Sequence, residues 1–304
     1  MNILVLGGQG FLGHNLVLRL LKEGHKVTIF TRKIQNERCL PNCEYVAGDL
    51  QEIYKFGSIF NNIDIIYHLI STTIPKKSND NLLYDIESNV VSTVRLLEMG
   101  CKANVKKIIF PSSGGTVYGY PEPSSINEEH KTNPICSYGI CKLMIEKYLY
   151  MFNNLYGLDY QILRISNPYG PYHNALSQGV INVFLSKIIK GETIEIWGDG
   201  SICRDYIYID DVIDILEMMA NKDIDAKILN IGSGEGTSLN NLIKIMKSIT
   251  GANFNVEYKE GRKVDVPVNI LDISKACKLL DWKPKISLEE GIEITWKSIK
   301  NLAV

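Results

Sequence analysis

Gly7-Gly8-Gln9-Gly10-Phe11-Leu12-Gly13 follows directly on the apolar run 3–6 and opens the helical pattern 11–22. Strand, glycine-rich turn and helix in that order begin a dinucleotide-binding βα unit. Gly7 suits the tight turn, Gly10 lets the backbone approach a pyrophosphate, and Gly13 lets the helix pack close to the strand. Phe11 and Leu12 sit on the first helical turn, whose N–H groups lack partners within the helix and face an anion.

Outward from this turn, the apolar runs 27–30, 45–47, 63–70, 108–112 and 160–166 alternate with helical stretches at 82–101 and 138–156. The alternation predicts a parallel sheet, and the runs are too continuous for a sheet with one face in water. The expected class is α/β, a Rossmann-type doubly wound parallel sheet with a smaller mixed α/β C-terminal lobe. Beyond about residue 170 the pattern loosens. Helices fit 179–190, 211–221, 239–250 and 288–301, and strands fit 194–197 and 228–231, around the turn Gly198-Asp199-Gly200. The predicted division is a dinucleotide domain of 1–166 with a return segment near 206–232, and a second lobe of 167–205 and 233–304.

The chain has 304 residues, with 33 Lys+Arg against 34 Asp+Glu for a formal net charge of −1. A near-neutral chain lacks the concentrated cations needed to wrap nucleic acid or lie on an anionic membrane. Its seven cysteines form no CxxC pair and read as reduced thiols of a cytoplasmic protein. No run approaches ~18 apolar residues, and Met1-Asn2-Ile3 has no signal-peptide character. The five histidines are scattered without metal-ligand spacing, so no metal site is expected, and His68 reads as a hydrogen-bonded core residue.

Where an NAD site carries Asp or Glu about 20 residues after the glycine turn, this chain has Thr31. Arg32 and Lys33 follow, and their charge suits a 2′-phosphate, which leans the reading towards NADP over NAD. Asp49, after the third strand, is placed either for the adenine amino group or as a helix cap. Tyr138 and Lys142 lie four residues apart on one helix face. A free tyrosine titrates near ~10, and Lys142 together with the positive nicotinamide ring would stabilise its phenolate for acid–base work near neutrality.

These residues, with His68-Leu69-Ile70-Ser71-Thr72-Thr73, Asn89, Ser112-Ser113-Gly114-Gly115-Thr116-Val117-Tyr118-Gly119, Arg164-Ile165-Ser166-Asn167-Pro168-Tyr169-Gly170, Arg204-Asp205-Tyr206 and Trp282-Lys283-Pro284, resemble the extended short-chain dehydrogenase/reductase superfamily. The match is to its nucleotide-sugar epimerase/dehydratase branch, most like the UDP-glucose 4-epimerases, over nearly the whole chain. The resemblance implies Tyr138 as the acid/base at the sugar 4-hydroxyl and Lys142 as its partner on the nicotinamide ribose. It implies Leu50, Leu69, Ser71, Asn89, Ser112 and Asn167 as further cofactor contacts. Thr72, Thr73, Gly114, Asn167, Asn182, Val183, Arg204, Arg262 and Asp265 are implied on the nucleotide sugar, with the arginines on its phosphates.

One position departs from the family. The Ser or Thr expected four residues before Tyr118 is Gly114, which has no hydroxyl, and the expected substitute is Ser113 or Thr116, or else a water or a backbone N–H. The leading expectation is a UDP-hexose 4-epimerase working through a 4-keto sugar. The rival is an NADPH-dependent 4-ketosugar reductase using the same residues, and a silent dinucleotide sensor is a third reading, motivated only by Gly114. The resemblance also implies a homodimer through helices 82–101 and 138–156.

Overall fold

The residues after Met1 form strand β1 (Asn2–Leu6), buried along all but its first position, as a strand covered on both faces must be. The chain then makes α1 (Phe11–Lys22), β2 (Lys26–Thr31), β3 (Cys43–Ala47), β4 (Ile65–His68), α2 (Leu82–Asp85), α3 (Ser92–Lys102), β5 (Lys107–Ser113), α4 (Ser137–Tyr156) and β6 (Asp159–Ile165). This computed structural model describes residues 1–121, 126–173, 179–261 and 266–303. It divides into two units, the first comprising Met1–Val117, Thr132–Arg164 and Ile213–Leu229.

In the first unit β1 pairs in parallel with β2 and β4, β2 with β3, and β4 with β5. The seven-stranded sheet runs β3, β2, β1, β4, β5, β6 and then the later strand Ile228–Ile231. Winding reverses at β1, so the loops after β1 and β4 open together at the carboxyl edge, where such sheets bind ligands. Leu4, Leu6, Phe30, Ile66, Phe110, Ile145, Leu149 and Phe152 belong to one buried cluster beneath that edge. The return segment is held by Arg19, which reaches Asp214 at 2.7 Å and Glu217 at 2.9 Å, and by the Tyr67 hydroxyl, which donates to the Leu216 carbonyl at 2.7 Å.

The stretch expected as one helix over 82–101 is interrupted. Between α2 and α3 the turns of Ile86–Val91 widen into a π-helix. Asp85, Ser88, Asn89, Ser92 and Thr93 are all buried. Spaced i, i+3, i+4, i+7 and i+8, these polar groups share one inward face of the stretch, and the Ser92 hydroxyl donates to the Glu87 carbonyl five residues back at 3.0 Å.

The second unit comprises Tyr118–Lys131, Ile165–Val212 and Asn230–Val304. It contains β7 (Asn167–Tyr169), α5 (Val180–Lys190), β8 (Ile194–Trp197), β9 (Cys203–Tyr208), the second half of β10 (Ile228–Ile231), β11 (Gly236–Ser238), α7 (Leu239–Thr250), β12 (Val256–Lys259), β13 (Val268–Asn269), α8 (Ser274–Leu280) and α9 (Leu288–Ala303). Helix α6 (Ile209–Asn221) precedes β10. β9 pairs with β7 and β13 in parallel and with β11 antiparallel. Its Asp205 is fully buried and accepts from Ser233 N (2.7 Å) and Oγ (2.8 Å), Ser166 Oγ (3.2 Å), Gly234 N (3.2 Å) and Leu271 N (3.4 Å). Burial raises its pKa and these donors oppose the rise, so one carboxylate ties four chain segments together. A Cβ on Gly232 would lie 2.3 Å from the same carboxylate, so only glycine fits beside it.

Candidate active site

The glycine turn has the geometry that an anion cradle needs. Gly7 adopts φ +83°, and its carbonyl accepts from Gly10 N at 2.9 Å. A Cβ on Gly13 would sit 2.2 Å from that carbonyl, so the helix approaches the strand only because Gly13 has none. No side chain caps the N-terminus of α1. At the end of β2, the Thr31 hydroxyl donates to the Lys33 carbonyl at 3.4 Å, and Arg32 and Lys33 are exposed. Asp49 accepts from Gln51 N at 2.9 Å and caps the short 3-10 helix Leu50–Lys55, in which Leu50 is buried.

Tyr138 and Lys142 occupy the first two turns of α4. The Lys142 ammonium is 5.7 Å from the Tyr138 ring centre and 4.5 Å from that of Phe110, and it donates to the Pro111 carbonyl at 2.9 Å. Burial lowers its pKa to about 8, with Glu146 pulling the other way. Tyr138 is pushed up to about 12, first by burial, then by Cys136 and Asp85, while a hydrogen bond with Ser71 opposes the rise. In the protein alone this phenol is therefore protonated across the neutral range. A Cβ on Gly139 would lie 2.9 Å from both Pro134 Cβ and the Thr116 carbonyl, so α4 begins hard against the 116 loop.

The hydroxyls near this pair are not equivalent. Ser112 gives its hydrogen bond to Glu146 at 2.5 Å, and Arg164 meets the same carboxylate at 2.7 Å, all three buried. Its hydroxyl is thus spent within the wall of the site. Thr116 differs: its hydroxyl is buried with no hydrogen-bond partner among the described residues. Ser113 is half-buried, and Gly114 is buried. His68 is 2 % exposed, its Nε2 lies 2.8 Å from Thr93 Oγ1, and burial lowers its pKa to about 3, so it is a neutral core residue.

Beside Tyr138 lies a network whose centre the sequence did not mark. The Asp85 carboxylate, fully buried, accepts from Thr73 Oγ1 (2.5 Å), Asn89 Nδ2 (2.9 Å) and Cys141 Sγ (3.4 Å). Asn89 Oδ1 accepts from Thr72 N at 3.0 Å, and Thr72 Oγ1 is 2.6 Å from Ser88 Oγ. The 71–73 loop and α4 are thereby gripped from one point.

In the second unit, Asn167 donates to the Asp205 carbonyl at 2.8 Å. Asn182 is 1 % exposed, and both ends of its amide meet the Gly170 peptide, at 3.3 Å to N and 2.8 Å to O. Val183 is half-buried on α5, and Arg204 donates to the Cys203 carbonyl at 2.8 Å. The Tyr206 hydroxyl is buried with no partner among the described residues, and its pKa rises through burial against the pull of Arg204. Arg262 and Asp265 lie outside the described residues.

A sequence model of the NAD dependent epimerase/dehydratase family matches residues 3–232. The chain belongs to this family. Among its relatives, the putative UDP-glucose 4-epimerase of Methanocaldococcus jannaschii is 36% identical over 303 residues, 98% of each chain. A dTDP-4-dehydro-6-deoxyglucose reductase of Escherichia coli is 32% identical over 314 residues, covering 98% of this chain and 97% of the other. A crystal structure of UDP-glucose 4-epimerase with UDP-glucose from Thermotoga maritima superimposes with TM-score 0.96 at 35% identity, covering 100% of both chains.

The family's dinucleotide fits the residues present. Gly7 holds the left-handed turn, Gly13 lets α1 close onto the Gly7 carbonyl, and among the described residues no side chain caps the start of α1. One residue near this turn escaped the sequence reading. Arg38 donates to the Gln9 carbonyl at 2.9 Å, a contact that no local spacing announces.

Proposed function

We propose that this protein is a nucleotide-sugar 4-epimerase acting on a UDP-hexose through a transient 4-keto sugar. The observation that carries the reading is the Tyr138–Lys142 pair on α4, with a buried Thr116 hydroxyl, unpartnered among the described residues, at the foot of the same helix. When bound, the nicotinamide dinucleotide supplies the hydride acceptor and donor. Tyr138 takes the proton of the sugar 4-hydroxyl and later returns it. Lys142, on the same helix face, favours the phenolate over the phenol while its own charge persists, below about 8 in the unliganded protein. Thr116, or Ser113, gives the substrate oxygen the hydrogen bond that Gly114 has no hydroxyl to give. Arg204 and Arg262 hold the diphosphate, Asn167, Asn182, Val183 and Asp265 the nucleotide, and Thr72 and Thr73 the sugar.

Incubation of the purified protein with UDP-glucose and no added cofactor tests this, with UDP-galactose as the expected product. Tyr138→Phe is expected to lower the rate by about 10²–10⁴-fold while cofactor binding persists. Full activity in that variant would overturn the reading. The rival, a 4-ketosugar reductase, draws on Thr31-Arg32-Lys33, which favours NADP, and it would consume stoichiometric NADPH. A cytoplasmic homodimer is proposed for either reading.

A further inference from the structure

We propose that Arg38, with Arg32 and Lys33, forms a recognition site for a phosphate monoester on the adenosine ribose, so that this chain prefers NADP(H) to NAD(H). The proposal rests on reading the glycine turn as the dinucleotide site, and is independent of which sugar reaction follows.

Three observations lead to it. At the end of β2 the side chain that would accept a ribose 2′-hydroxyl is Thr31, and its hydroxyl is turned to the Lys33 carbonyl at 3.4 Å. No carboxylate stands there to repel a phosphate, and two exposed cations follow at once. Next, Arg38 is brought back over the glycine turn, its Nη1 donating to the Gln9 carbonyl at 2.9 Å. That approach is built. Gln9 is 4 % exposed, its Nε2 donates to the Gln35 carbonyl at 2.9 Å, and its Oε1 accepts from Gln35 N at 2.9 Å, so the loop carrying Arg38 is clamped to the turn. The single turn of 3-10 helix Asn36–Arg38 then presents the guanidinium.

Finally, the guanidinium has five N–H donors and only one carbonyl among its partners, and no carboxylate pairs with it among the described residues. Its charge still reaches His14 on α1, whose pKa it helps to lower after burial. A cation tethered at the ribose end of a dinucleotide cradle, with unspent donors in a planar fork, matches two oxygens of a phosphate monoester. A neutral 2′-hydroxyl gives it far less to bind.

The test is direct binding, by isothermal titration of NADPH and NADH to the purified full-length protein and to Arg38→Gln. Glutamine keeps a donor for the Gln9 carbonyl and removes the charge. NADPH is expected to bind wild type at least about tenfold tighter than NADH, and Arg38→Gln to weaken NADPH by about 10–100-fold with NADH changed less than about threefold. Adenosine 2′,5′-bisphosphate is expected to raise the melting temperature of wild type and not of the variant. Wild type favouring NADH, or a variant that loses both cofactors equally, would overturn the proposal, the second outcome leaving Arg38 as a pin for the glycine turn. Neither outcome touches the epimerase reading, which the UDP-glucose assay judges separately.

Discussion

Lys142 carries an ammonium where solvent barely reaches, at 7 % exposure. Its pKa falls from 10.5 to about 8, so between those values the unfolded chain holds more protons than the folded one, and stability rises with pH across that window. Below about 8 the full burial cost is present, about 3 kcal/mol at ~1.36 per tenfold. Lys142→Met removes that cost and strands the Pro111 carbonyl, a loss of about 1–2 kcal/mol. The variant is expected to be about 1 kcal/mol more stable at pH 7 and to lose the gain by about pH 10.5, read by urea unfolding at the two pH values, while its activity collapses. Asp85 acts on the other partner. Its charge helps to raise the Tyr138 pKa, so Asp85→Asn is expected to shift the acid limb of the pH–rate profile to lower pH. A variant that is slower with an unmoved limb would reduce Asp85 to packing.

At the scale of elements, α4 is fastened to β5 and β6 through Glu146, which takes Ser112 at 2.5 Å and Arg164 at 2.7 Å. Breaking one side of a buried pair leaves an uncompensated charge. Glu146→Gln is therefore expected to cost about 3–5 kcal/mol, and Glu146→Leu with Arg164→Met to recover much of it. Denaturant midpoints of the three proteins check this, and a double variant as weak as the single one would mean that the ion pair contributes more than its own satisfaction. Within the 82–102 stretch, Asp85 and Asn89 lie one helical turn apart on the same face, and both reach the 72–73 loop.

At the scale of the molecule, the first unit exposes apolar side chains on the same two helical stretches that would pair between copies. Leu83 is 72 % exposed, Leu155 64 %, Tyr156 63 % and Tyr150 59 %. These are the side chains on which the proposed dimer would bury apolar surface. Wild type is expected to sediment as a dimer and Leu83→Glu with Tyr150→Glu as a monomer with intact circular dichroism. No helix among the described residues is long and apolar enough to cross a membrane.

What the sequence determined by itself was whatever depends on neighbours along the chain. The order of strands and helices in the first 166 residues follows from short continuous apolar runs alternating with helical patterns, the anion cradle from three glycines, and the Tyr138–Lys142 proximity from one helical turn. The second unit was less legible, because β11 and β13 have only three and two residues and no period to read. Only the tertiary structure decided which polar groups are spent and which remain. Ser112 and Asn182 turned out to be engaged by Glu146 and Gly170, Thr116 to be unpartnered, Asp85 to be a hub and Arg38 to stand over Gln9. Each of those facts depends on a partner brought near by packing, and a hydrogen bond formed across a fold leaves no spacing in the chain.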